Sequence, residues 1–320
     1  MKKLARVASV LFCSASLYGI ALPESAIALP EEPKPIQLAQ ANNGLEILTT
    51  GTGSKQIFRF APSVGSQQTT VMAIQAATTV GGKQGIALTL PAIAITIETT
   101  VMEANADTGS YRGQFIYQAV EVGDGETLPP GASDSIRQQL QALVGLNGEF
   151  AIDAQGNLTD FSLELPTTSD NPVAQQILQQ VSEALKQLSN PFPAEAIGVG
   201  AQWQVTQDVA VSGIEVTQTT TYELLDYQGN NLTLAFKTDQ SGSGSLADFP
   251  GLPEGFDPQI ESLNSTGEGT LTLNLEQLLP STLQVQSETE MVMTIKPPNA
   301  SQPIDLQVQV SSQVDLSDQE

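Results

Sequence analysis

The sequence predicts a mainly β protein: one long, curved, half-barrel-like antiparallel sheet from two similar halves, with two helices covering its apolar face. Three observations lead there. Alternation of apolar and polar residues at period two runs through most of the chain beyond Leu45. Two turn sequences repeat almost word for word, and only two segments carry helical spacing. One-sided alternation marks strands with one buried and one wet face, as antiparallel sheets have and crossover-wound parallel sheets do not.

The strands show this directly. Ile93, Ile95 and Ile97 alternate, as do Trp203, Val205, Val209 and Val211. Leu271, Leu273 and Leu275 interleave with Thr270, Thr272 and Asn274. Leu283, Val285, Met291, Met293 and Ile295 keep one phase across Ser287 and Thr289, and Ile304, Leu306, Val308 and Val310 repeat the pattern. The opposite phase holds mostly Thr, Gln and Ser, which fits a sheet with one solvated side.

Asp153-Ala-Gln-Gly-Asn157 precedes Leu158-Thr159, and Asp226-Tyr-Gln-Gly-Asn230 precedes Asn231-Leu232-Thr233. Each lies between alternating runs, so each should close a hairpin, with Asp bonding to backbone and Gly at positive φ. A calcium loop is the sharper alternative, but the glutamine in both copies stands where such a loop places an oxygen ligand. The repetition extends to a plan: Thr99 to Val122 and Thr219 to Lys237 are each strand, turn and strand. The halves would be Leu45–Leu165 and Val199–Leu316. Ser241 to Ser262, rich in Gly, Pro and Asp, reads as a mobile loop.

Two segments read as helix. In Ser133–Val144 the apolar residues Ile136, Leu140, Leu143 and Val144 fall on one stripe, and Gly145 ends the run. Asn171–Leu188 has Asn171 as N-cap and Pro172 in the first turn; Val173, Ile177, Val181, Leu185 and Leu188 form its stripe. Core cover is the plain role of both stripes.

The N-terminus reads as an export signal. Lys2, Lys3 and Arg6 precede an apolar run from Val7 to Leu22, and Ala26-Ile27-Ala28 supplies the small residues of a cleavage site. The run is short for a membrane span. Cys13 follows bulky Phe12, which argues against lipid attachment. The organisation expected is therefore 1–28 signal peptide, 29–44 flexible leader, 45–190 first β region with both helices, and 191–320 second β region, continuous with the first. The mature chain should have no membrane span and reside in the periplasm, the envelope or outside the cell.

The chemistry is bounded by what is missing. The chain has no histidine, and Cys13 is its only cysteine. A Ser-His-Asp or Cys-His centre and a His/Cys zinc site are excluded. Carboxylate pairs, a Ser-Lys dyad and oxygen-held metal remain, but no spacing singles one out. The reading is a protein that is not an enzyme and has no cofactor or metal. A net charge of −23, made more acidic by loss of the signal, repels nucleic acid.

Pro191-Phe192-Pro193, followed by Val199-Gly200-Ala201-Gln202-Trp203, resembles an uncharacterised family of exported bacterial proteins with a domain of unknown function. The resemblance implies a first β region with Gly-Asn turns, a Gln-rich helix, this junction and a second β region. It implies no activity. A weaker similarity, at the level of fold alone, is to periplasmic lipoprotein and lipid carriers. The functional expectation is an exported non-catalytic protein that binds a lipid or other apolar molecule under the helices. Ile136, Leu140, Val181, Leu185 and Trp203 would line that space, although a tryptophan on an alternating strand also suits a filled core. The alternative is a structural or adhesive cell-envelope protein with no ligand cavity.

Overall fold

The computed structural model describes residues 44–81, 85–105, 107–123, 132–141, 143–164, 192–211, 214–246, 257–296 and 303–319. The expected signal peptide, the leader and the segment Asn171–Leu188, with Val181 and Leu185, lie outside them.

Thirteen strands form one sheet. In chain order they are β1 (Gly44–Gln56), β2 (Gln67–Val80), β3 (Ile86–Thr89), β4 (Ile93–Asn105), β5 (Ser110–Val122), β6 (Asn147–Asp153) and β7 (Leu158–Glu164). There follow β8 (Ile197–Val211), β9 (Ile214–Gln228), β10 (Asn231–Ser245), β11 (Asp257–Asn274), β12 (Thr282–Lys296) and β13 (Ile304–Asp318). Helix α1 (Ala132–Gln141) lies between β5 and β6. The spatial order is β1-β8-β9-β10-β11-β12-β13-β2-β4-β5-β6-β7, with β3 on β2, and every pairing is antiparallel. Strands of 13 to 18 residues dominate, so the long ones run about 50 Å.

The two expected halves lie next to each other in the sheet, except that β1 is separated from the rest of the first half. β1 caps the far edge of the second half by pairing with β8, and β13 joins the halves by pairing with β2. The connection from β1 to β2 must therefore cross beneath six strands. It does so along the end where the turns lie, as a hydrogen-bonded strap. Phe60 N donates to Ala154 O, Ala61 N to Leu275 O and Gly65 N to Val101 O, each at 2.8 Å. Arg59 donates to the carbonyls of Phe58, Pro193 and Ala194, which fixes the strap to the start of β8.

The expectation of two helices covering the apolar face is overturned. Among the described residues there is one helix, α1, ten residues long. Its main packing partner among the described elements is β5, and Ile136 and Leu140 turn into the core. Among the described residues the apolar face is met by other strands of the same sheet and by the strap. Leu278, in the turn after β11, reaches Gly113 on β5, where even a Cβ would collide with it. A single cluster unites Ile74 of β2, Ile95 of β4, Phe115 of β5, Phe150 of β6, Trp203 of β8 and Leu271 of β11 with Phe58, Phe60 and Phe192.

The repeated turns both close hairpins, but differently. In the first, Asp153 Oδ1 accepts from Gln155 N and Asn157 N, each at 2.9 Å, and Gly156 has φ of 91°. In the second, strand pairing continues to Gln228 and Asn231, leaving Gly229 (φ 59°) and Asn230 as the turn; Asp226 stands in the ladder opposite Thr233. The expected loop at Ser241 to Ser262 is also partly strand. β10 runs to Ser245 and β11 starts at Asp257, because Gly242 and Gly244 still pair across to Leu263 and Ile260.

Candidate functional site

The inner face of the long strands is not uniformly apolar. On β12 it carries Leu283, Val285, Ser287, Thr289, Met291, Met293 and Ile295 in unbroken alternation. On β9 it carries Ile214, Val216, Gln218, Thr220, Tyr222 and Leu224. Each strand thus reads apolar, polar, apolar along one face. The large core occupies the turn end. A second cluster of Ile214, Val216, Leu246, Ile260, Leu263, Met291, Met293, Ile295, Val308 and Val310 occupies the far end.

Between the clusters runs a belt of uncharged polar side chains. Gln218, Thr220, Ser265, Thr289 and Ser312 are all buried. They are paired mainly with one another. Thr289 Oγ1 donates to Ser265 Oγ at 2.8 Å, the Ser287 and Ser312 hydroxyls lie 2.7 Å apart, and those of Thr220 and Thr238 lie 3.1 Å apart. Gln240 Nε2 donates to Gln218 Oε1 at 2.6 Å. Among the described residues, two buried side-chain polar atoms have no hydrogen-bond partner: Thr99 Oγ1, on β4, and Gln240 Oε1, in the belt. Buried polar atoms are nearly always satisfied, so these two are exceptions.

The sequence-derived candidates fall elsewhere. Ile136, Leu140 and Trp203 come together in the large core, with Leu140 and Trp203 only 1% exposed. Trp203 stacks on Tyr222 with ring centroids 5.5 Å apart and 20° between planes, and Phe192 lies tilted against Trp203 at 6.0 Å. Burial pushes the Tyr117 phenol up to about 12, and pushes that of Tyr222 up as well. Neither of the two described clefts is lined by Ile136, Leu140 or Trp203.

The larger of those clefts, about 800 Å³, is a polar trough across five strands that includes the Thr238, Ser287 and Ser312 members of the belt. Its floor is the cross-strand row Thr238, Gly267, Ser287, Ser312 and Ala76. Two flanking rows form its walls: Lys237, Glu268, Gln286, Gln313 and Gln75 on one side, and Asp239, Thr266, Glu288, Ser311 and Ala77 on the other. Lys237 faces Glu268 across 4.0 Å. Among the described residues no Asp and Glu group gathers as a metal site would require. Asp153 uses its oxygens inside its own turn.

Sequence reasoning missed the belt. The signal was the unbroken phase through Ser287 and Thr289, and through Gln218 and Thr220, which put these polar residues on the inner side.

Residues 164–278 match the model of a family of unknown function, DUF6263. The resemblance to an uncharacterised family holds, and the match spans the Val199–Trp203 junction that carries it. No curated protein matches the chain. Among solved structures, OmpT of Vibrio cholerae, an outer membrane protein in its trimer form, is 5% identical with a TM-score of 0.19, covering 80% of this chain and 100% of that one. OccAB2 of Acinetobacter baumannii is 5% identical with a TM-score of 0.22, covering 81% and 100%. Overlap this small carries no statement about the present chain.

Proposed function

We propose that the protein is an exported, non-catalytic binder that takes a lipid or other apolar molecule against the far-end cluster of its inner face. The observation that carries this reading is the division of that face by the polar belt. A core that served stability alone would be apolar throughout, because buried hydroxyls and amides add little net stability and lose much if unpaired. Here the belt separates the large core from a second apolar cluster with its own composition, itself buried, which would have to part to admit a ligand. Met291 and Met293 are central to it, and thioether side chains adapt to irregular or variable apolar partners.

The test is uptake of the fluorescent probe N-phenyl-1-naphthylamine by the mature chain. Saturable, blue-shifted fluorescence is expected, reduced at least about fivefold in affinity by Met293→Gln in a variant that still melts cooperatively. Absence of saturable uptake, or uptake untouched by substitutions at Met291 and Met293, would overturn the reading.

A second reading, a structural or adhesive envelope role, is favoured by the polar trough, whose two flanking rows of mostly Gln, Glu, Ser and Thr offer polar contacts across five strands. It predicts that the mature chain stays with washed envelope fractions and that Gln286→Ala with Gln313→Ala releases it.

A further inference from the structure

We infer that the free edge of β1 takes up an extended, basic segment of another protein as an added strand. This surface is separate from the far-end cluster, so the inference stands apart from the apolar-binding reading. β1 ends the sheet, with β8 on one side and no strand on the other among the described residues. From Leu45 to Thr50 this leaves about 20 Å of strand edge whose outward peptide groups have no ladder partner.

The two ends of the sheet are not alike. β7, the other terminal strand, is seven residues long and carries Asp160; short, charged strands are the usual protection of an edge. β1 is 13 residues long, without proline, and between Leu45 and Gly53 its one charge is Glu46. The bulge between Ile47 and Thr49 leaves Leu48 without a β8 partner and 48% exposed. Leu45 and Ile47 are only partly buried against the large core. Beside this stretch lies the smaller of the two described clefts, about 720 Å³, which Leu45, Ile47 and Leu48 line together with Ala194 and Glu195. An open edge, an apolar strip and an adjoining cleft are the parts that strand addition uses. Main-chain hydrogen bonds hold the incoming segment, and its alternate side chains find the pocket.

The charge of that segment follows from the same residues. Glu46 and Glu195 are exposed, and no basic residue lines the cleft. Arg59, which donates to the Ala194 carbonyl, is engaged with those of Phe58 and Pro193 as well. The whole chain carries a net charge of −23. A segment that alternates apolar residues with Lys or Arg therefore matches the edge, whereas like charge opposes a second copy of this chain.

The experiment follows the fluorescence anisotropy of a labelled peptide of four Lys-Val repeats titrated with the purified chain. Binding should be saturable and at least about tenfold tighter than for the same peptide N-methylated at every residue, which keeps its charge and side chains but cannot donate a backbone hydrogen bond. Leu48→Lys should weaken binding at least about fivefold, and Ser162→Lys, which adds the same charge on β7, should leave it within about twofold. Equal binding of the methylated peptide would mean attraction of charge alone and would overturn the inference. So would equal losses in the two variants, or no binding at all. A dimer that forms with rising concentration and is lost in Leu48→Lys, with no peptide bound, would give the edge to a second copy instead. If Leu48→Lys fails to fold, the contrast between the two Lys-Val peptides decides.

Discussion

Replacing the Thr289–Ser265 pair by apolar isosteres measures what the belt contributes. Thr289 Oγ1 donates to Ser265 Oγ at 2.8 Å, and both residues are buried at about 5% exposure. Thr289→Val leaves the Ser265 oxygen without its donor, and Ser265→Ala leaves the Thr289 hydroxyl without its acceptor. Each single change should therefore lose about 1–3 kcal/mol, the desolvation penalty of an orphaned group. The double variant removes both polar groups at nearly unchanged volume. It should lie within about 0.5 kcal/mol of wild type, giving a coupling energy of roughly 2–6 kcal/mol between the sites, the sum of the two single losses. Equilibrium urea unfolding of the four proteins reads these values directly. A double variant that loses the sum of the two singles would refute the reasoning, because the belt would then be stabilising the sheet in its own right.

Other outcomes follow from the same coordinates. Trp203→Ala should cost about 3–5 kcal/mol, seen as a large drop in urea midpoint, since the indole is 1% exposed and packed on Tyr222 and Phe192. Burial pushes the Tyr117 phenol up to about 12 and raises that of Tyr222 too, whereas unfolded tyrosine ionises near 10. Thermal stability should thus be level from pH 7 to about 9.5 and fall as pH rises through 10 toward 12, less steeply in Tyr117→Phe. Gly148→Ala should destabilise strongly on thermal melting, because a Cβ there would run into the Ser162 carbonyl and the Phe115 ring. Asp153→Ala should lose about 1–3 kcal/mol by urea unfolding, since its carboxylate accepts from two backbone amides and the Asn157 side chain. Added calcium should not change the melting temperature of wild type.

Much of the strand content was written in local alternation, which depends only on neighbours along the chain. Leu271, Leu273 and Leu275, or Met291, Met293 and Ile295, point to one side in the structure as their spacing requires. Strand order was not local. Nothing in the alternation of β2 says that it inserts between β13 and β4, a pairing that joins Thr70 to Asp318. The strap at Phe58 and Phe60 was likewise hidden, because its role is to cross beneath strands that come much later in the sequence. The helical stripe at Ile136 and Leu140 was read correctly as core-facing, but its job was overestimated. Among the described residues, other strands and the strap share the apolar face with it.

The belt shows a different limit. The sequence reading followed the apolar phase across Ser287 and Thr289 but drew nothing from the polar residues that keep it. Phase puts Gln218 with Val216 and Tyr222, and Ser287 with Val285 and Met291. Polar residues that keep the apolar phase are therefore the useful signal in long strands. They mark where the interior changes character. Trp203, in contrast, drew notice by rarity and lies in the filled core.

Native mass spectrometry of the gently purified chain tests the binding account most directly. The account predicts a second mass above that of the bare polypeptide, lost on collisional activation and identified as a lipid or other apolar molecule. Bare polypeptide alone across independent preparations, with no mass gained after exposure to N-phenyl-1-naphthylamine, would contradict it.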